Sequence, residues 1–200
     1  MLKDAHLRAV VFDWAGTVVD HGAKAPADVF VRAFAEFGVE IGEDEARGPM
    51  GMAKREHIEA VMAMPRVQAA WRERHGRIPG DAEVDRVYEV FVPMNVAVVA
   101  DHGALIEGAA AVTARLRARG LAIGSTTGYT REIMQPLLPQ AAAQGFSPDS
   151  LVCAGEVARG RPAPLMLYKT LAELGVWPAS AVVVVDDTPA GIRAGLAAGC

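Results

Sequence analysis

Cysteine is nearly absent from this chain: of 200 residues only Cys153 and Cys200 carry a thiol. Two thiols cannot build the disulfide framework of a small secreted domain or a cysteine-based zinc site. Lysine is almost as scarce, with Lys3, Lys24, Lys54 and Lys169 set against sixteen arginines. A lysine in a special place is therefore not explained by a general need for positive charge. An excess of basic charge is also missing. The net charge is -4, so there is no electrostatic footprint for nucleic acid or for an acidic membrane surface. No repeat of 20–50 residues and no low-complexity tract interrupts the sequence. Long apolar runs are lacking too. The first one is stopped by Asp13, too soon for a signal peptide or a membrane span. The expectation is a reducing, cytoplasmic setting. His6, His21, His75 and His102 show no metal-ligand spacing.

What the chain does have is a composition that buries a core, 52% hydrophobic and 22% charged, and a length that suits one domain with an insertion. Four short apolar runs, at 8–12, 121–125, 151–153 and 181–185, are rich in β-branched residues and do not alternate. That is the pattern of parallel strands buried on both faces. Between the last three lie helical patterns at 108–119, 130–144 and 162–174, closed by Gly120, Gly145 and Gly175, with Thr130 as a capping hydroxyl. The fold class is α/β, a doubly wound parallel sheet. About 100 residues separate the first strand from the second. They read as helices at 26–37, 43–48, 54–62, 66–75 and 81–99. We expect residues 1–20 and 101–200 to form the α/β core and 21–100 an inserted helical cap over the carboxyl ends of the strands, where such folds bind ligands.

Four motifs fall at strand ends or helix starts. FDWAGTVVD puts Asp13 at the end of the first strand, followed by Gly16 and Thr17 in a turn. VVVVDDTPAG puts Asp186 and Asp187 at the end of the last. Clustered carboxylates suit a hard cation that also takes a phosphate oxygen, and without one they raise each other's pKa. GSTTGYT supplies Thr126 and Thr127 at a helix entry, an anion cradle. ARGRPAP supplies Arg161, a planar fork of donors for phosphate. A fifth motif, PMGMAKREHI, lies in the insertion and puts Lys54 at a helix start. A positive helix end and the adjacent Arg55 should disfavour its ammonium form, and a lysine so tuned is a nucleophile toward carbonyls.

Taken in order, these motifs resemble the haloacid dehalogenase superfamily of aspartate-nucleophile phosphotransferases. The pairing of Ala15 with Lys54 resembles its cap-bearing phosphonatase branch, which hydrolyses the carbon–phosphorus bond of phosphonoacetaldehyde. The resemblance implies Asp13 as the nucleophile toward phosphorus. It implies Thr126 or Thr127 together with Arg161 as the phosphoryl-binding groups. Mg²⁺ would be held by Asp13, the Ala15 carbonyl and Asp187, with Asp186 as a further ligand. Lys54 would form the Schiff base, and Met50, His57 and Tyr129 would assist, His57 as a possible proton shuttle. A small phosphonate substrate and a homodimer formed through the cap follow from the same resemblance.

Two departures bear on the transfer. Ordinary phosphatases of the superfamily carry a general acid where Ala15 stands. An ester leaving group needs that proton; a carbanion leaving group needs an electron sink instead, and an iminium on Lys54 is one. Relatives also carry an acid where Gly191 stands, which Asp186 would replace. The sequence ends soon after its last helical pattern, where family members continue, so an uncovered sheet edge is expected. The competing readings are a phosphatase or phosphomutase of the same superfamily and a non-catalytic phosphate-binding remnant.

Overall fold

The computed structural model describes residues 7–200; Lys3 and His6 lie outside them. Among the described residues four parallel strands form one sheet in the order β3-β2-β1-β4: β1 Ala9–Phe12, β2 Ala122–Thr127, β3 Ser150–Cys153 and β4 Val182–Val185. The sheet is wound on both sides of β1. Val10 and Phe12 point to one face, into a cluster with Ile123, Ile133, Leu137 and Phe146. Ala9 and Val11 point to the other, against Leu167 and Leu171 of α9 (Leu165–Leu174) and Ala194 and Ala198 of α10 (Pro189–Ala198). Alternation along one buried strand thus serves two apolar layers, as a doubly wound sheet requires.

Register does the next step. Phe12 pairs with Ser125 of β2 and with Val185 of β4. β1 and β4 end level while β2 runs two residues further along β3, so Asp13 and Asp186, just beyond their strands, emerge beside Thr126 of β2 at one rim.

Between β1 and β2 lies a helical block: α1 Lys24–Ala35, α2 Glu43–Arg47, α3 Lys54–Met62, α4 Pro65–His75 and α5 Asp81–Val99. Its interior is aromatic, with Phe30 of α1 stacked on Phe91 of α5 at 4.3 Å and on His57 of α3 at 3.9 Å between ring centres. The core's connecting helices include α6 Ala109–Ala118, α7 Arg131–Met134 and α8 Leu137–Ala143. No helix among the described residues is long and apolar enough to cross a membrane.

Two expectations need correction. The single helix expected over 130–144 is two. Thr130 caps the first as expected, accepting from the Ile133 amide, but Pro136 has no N–H to continue the ladder and the chain restarts there. The last strand is not buried on both faces. β4 lies at the sheet edge, and Val183 and Val185 are exposed. The apolar run there marks an edge strand rather than a central one.

Candidate active site

The loop after β1 is built to hold carboxylates close together. The Asp13 amide donates to the Val185 carbonyl at 2.9 Å, which ties it to the end of β4. The chain then folds back in a tight turn through Gly16, whose φ of +94° is left-handed. Glycine is needed there for space as well, because a Cβ would stand 2.1 Å from an Asp187 carboxylate oxygen. Thr17 donates its hydroxyl to that same carboxylate at 3.1 Å. Carboxylate oxygens of Asp13, Asp186 and Asp187 lie within 4.8 Å of one another.

Arg161 is the counter-charge. Its Nη1 reaches Asp13 at 2.7 Å and Asp186 at 2.9 Å, and its Nη2 donates to the carbonyl and hydroxyl of Thr126, both at 2.6 Å. One guanidinium does not balance three carboxylates. Burial, and then Asp186 and Asp187, push Asp13 up to about 6 even though Arg161 pulls the other way. Burial raises Asp187 as well. A donor set of packed, partly uncompensated oxygens fits a hard divalent cation, which would offset both the burial and the mutual repulsion that raise these pKa values.

The residue at 191 is constrained by the same cluster. A Cβ on Gly191 would lie 1.8 Å from an Asp186 oxygen, and that carboxylate is fixed, accepting from the Thr188 amide at 2.9 Å and hydroxyl at 2.7 Å. Asp186 thus fills the space that a side chain at 191 would take. Gly191→Ala should lower the melting temperature by several degrees, the cost of overpacking being about 1–3 kcal/mol. An unchanged melting temperature in a thermal scan would show that the carboxylate can swing away.

Above the rim the helical block closes the site. A cavity of about 20 Å³ is lined from the block by Pro26, Met50, Gly51 and Lys54 and from the sheet side by Asp13, Ala15, Thr127, Gly128, Tyr129 and Thr188. Glycines set how closely the two sides approach. A Cβ on Gly51 would meet the Thr188 hydroxyl at 2.2 Å, one on Gly128 the Met52 carbonyl at 2.6 Å, and one on Gly160 the Ala53 Cβ at 3.1 Å.

Lys54 opens α3, as the sequence suggested, and is only 4% exposed. Its Nζ sits 5.0 Å from the ring centre of Tyr129 and 5.4 Å from that of Phe30. Burial brings its pKa down to about 8; Asp13 resists this and Arg161 assists. Arg55, expected to act together with the helix end, is turned outward to Asp85 at 2.7 Å and Asp81 at 3.8 Å, so consecutive basic residues on a helix here face different ways.

Of the remaining candidates, Met50, Ala15, Thr127 and Tyr129 line the cavity and Thr126 does not, its hydroxyl being engaged with Arg161. The Thr127 hydroxyl accepts from the Tyr129 amide at 3.1 Å. His57 lies behind Lys54 with Nε2 against the Ala46 carbonyl at 2.7 Å. Burial, and then Lys54, hold its ring neutral with a pKa of about 3. Sequence reasoning passed over the three closure glycines.

A family model described as haloacid dehalogenase-like hydrolase matches residues 7–199. The chain is 58% identical over 194 residues to a phosphonoacetaldehyde hydrolase of Paraburkholderia phytofirmans, covering 97% of this chain and 73% of that relative. It is 44% identical over 193 residues to one of Bacillus cereus, again covering 73% of the relative. Among solved structures, a phosphonoacetaldehyde hydrolase-like protein of Oleispira antarctica superposes with a TM-score of 0.95 at 39% identity, covering 97% of this chain and 70% of that one.

Proposed function

This chain belongs to the haloacid dehalogenase-like hydrolases, within them to the phosphonoacetaldehyde hydrolase family, and on that premise we propose that it splits the carbon–phosphorus bond of phosphonoacetaldehyde to acetaldehyde and phosphate. The observation that carries the reading is that one small cavity is lined by a lysine with a pKa near 8 and by an aspartate, while the position two residues beyond that aspartate is an alanine.

Each feature has a task. The neutral Lys54 amine adds to the aldehyde carbon, and loss of water gives an iminium. Asp13 attacks phosphorus; the carbon–phosphorus pair moves into the iminium and leaves an enamine. No oxygen leaving group departs, so no acid is needed at Ala15. Water then cleaves the aspartyl phosphate, and protonation and hydrolysis of the enamine release acetaldehyde and return Lys54. Arg161 stays beside Asp13, its charge secured by Asp13 and Asp186 against the cost of burial, where it offsets phosphoryl charge. Asp13, Asp186, Asp187 and the Ala15 carbonyl would hold Mg²⁺, which supplies further charge stabilisation to the phosphoryl oxygens. In this reading residues 21–100 act as the cap, the protein works in the cytoplasm, and two copies pair through their caps, as light scattering of the eluted protein would show.

Thr127, facing the cavity, is the phosphoryl-binding hydroxyl, and Thr126 is a tether for Arg161. Thr127→Val should raise KM about tenfold or more, the worth of one hydrogen bond to a charged group. Thr126→Val should change KM less, because Arg161 keeps the Thr126 carbonyl. Steady-state kinetics in which Thr126→Val has the larger effect would reverse the assignment.

Borohydride trapping with phosphonoacetaldehyde tests the whole reading. A reduced two-carbon adduct should appear on Lys54 and on no other lysine. Hydrolysis of phosphate esters with no adduct would replace the reading with an ordinary phosphatase. The trapping rate should climb with pH about a midpoint near 8. The amine attacks only when neutral, and its folded pKa lies below the free value of 10.5, so roughly a tenth is neutral at pH 7. A midpoint above 10 would mean that Lys54 is solvated when it reacts.

A further inference from the structure

Two linkers join the helical block to the sheet, and hydrogen bonds mark where each changes allegiance. On the first, Val19 is bridged to Ala15 and to Leu105, and the Val18 carbonyl accepts from the Ile106 amide at 2.8 Å. By Gly22 the chain belongs to the block, because Arg47 of α2 donates to the Gly22 carbonyl at 2.8 Å. On the second, α5 ends at Val99 and a short turn, Ala100–His102, follows. From Gly103 the chain is tied to the core. The Gln144 amide donates to the Gly103 carbonyl and accepts from the Leu105 amide, both at 2.9 Å. The pivots are therefore residues 20–21 and 100–102. Asp20 stands at the first pivot, and its buried carboxylate reaches both the block and the second pivot. One oxygen accepts from the Ala25 amide in the first turn of α1 at 2.9 Å, and the other from His102 Nδ1 at 3.1 Å. The backbone at Asp20 is left-handed, with φ +52°, and so is that of Ala23, with φ +47°. Two non-glycine residues in that region persist only where their surroundings fix them.

We infer that Asp20 and His102 are positioning residues: their hydrogen bond across the two pivots holds the helical block where Lys54 and Asp13 line one cavity. The two bonds of Asp20 have separate tasks. The one to Ala25 satisfies an amide in the first turn of α1, which has no side-chain cap at Ala23. The one to His102 couples the linkers, so that the block does not turn on one without the other. Neither residue lines the cavity. With only about 20 Å³ between the walls, a small rotation about the pivots lifts the amine from the rim and lets water reach it. The placement of Lys54 follows from the linkers alone; its effect on catalysis rests on the imine reading.

The test removes His102, whose side chain is 37% exposed, so that little of the core is left unfilled. Acetic anhydride is applied without substrate at a pH of about 10, where a fair share of any solvated lysine is neutral, and the products are read by peptide mass spectrometry. Lys54 should be labelled about tenfold faster in His102→Ala than in the wild type, the shift that one hydrogen bond to a charged group sustains. Lys169 should be labelled equally in both. Cys153, wholly buried in β3, should stay unreactive toward iodoacetamide, which separates movement of the block from unfolding. His102→Asn, whose amide nitrogen can stand where Nδ1 does, should restore protection of Lys54. Should the alanine variant not fold, His102→Ser is read in its place. In borohydride trapping with phosphonoacetaldehyde, the midpoint should rise from near 8 toward the value of a solvated lysine, because burial is what lowers it. Wild-type labelling of Lys54 in the folded variant, labelling of Cys153 in step with it, or no protection by asparagine would overturn the inference. Absence of trapping in the wild type would remove the imine reading and leave the labelling to decide this one.

Discussion

Lys54→Met should abolish release of acetaldehyde from phosphonoacetaldehyde, by at least about 10⁴-fold, the order lost when a covalent nucleophile is removed. The variant should also melt at or above the wild-type temperature. Lys54 is buried among Phe30 and Tyr129, and burial is what depresses its pKa, so the ammonium form is held against a desolvation cost that an unbranched apolar side chain does not bear. Stability and activity should thus move in opposite directions, the mark of a group retained for chemistry. Acetaldehyde measured by a coupled dehydrogenase assay checks the first half and calorimetry the second. Residual turnover within a hundredfold of wild type would show that the bond is broken without an amine.

Asp13→Asn should be as damaging to phosphate release, again about 10⁴-fold or more, yet leave the first half of the reaction standing. An amide oxygen does not attack phosphorus, but it can still accept from Arg161. The substitution also removes a carboxylate that burial, and then Asp186 and Asp187, push up to about 6. Borohydride should therefore trap phosphonoacetaldehyde on Lys54 in Asp13→Asn while inorganic phosphate stays at background. Loss of both together would mean that the aspartate is needed to form the imine. It would then be acting on the amine, whose charged form Asp13 does favour, and another group would have to meet phosphorus.

How much of this could be read without coordinates varies with the kind of interaction. Helices α3 and α5 begin and end where expected, Lys54–Met62 and Asp81–Val99, because the glycines and prolines between the helical segments are local punctuation. The break at Pro136 was equally local but lay between a capping threonine and a closing glycine that marked out a single helix. The uncovered edge at β4 was expected from the likeness to longer family members and not from its four valines, which carry no information on what covers them. In the site, Asp13, Asp186 and Asp187 were legible because strand ends in a parallel sheet lie level. The choice between Thr126 and Thr127 was not, because it depends on where Arg161 points, and that is set 35 residues downstream. Lys54 was found partly for a wrong reason, since a neighbour in sequence was credited with what burial does. The closure glycines depend on contacts across the block and the sheet, and no window of sequence contains both sides.

The cavity's small size has a consequence for discrimination. With room for about one water molecule, it admits the seven heavy atoms of phosphonoacetaldehyde only if the block and the sheet side separate, so fit to the closed cavity is not what selects. Selection works instead as a conjunction of two requirements carried on opposite walls. A simple aldehyde can occupy the amine on the upper wall but offers no phosphorus to the carboxylate below. A phosphate ester can offer phosphorus, but its alkoxide would depart without a proton where Ala15 stands. Only a molecule with a carbonyl one carbon removed from phosphorus satisfies both walls in one act, and the walls meet only when glycine lets the two halves touch.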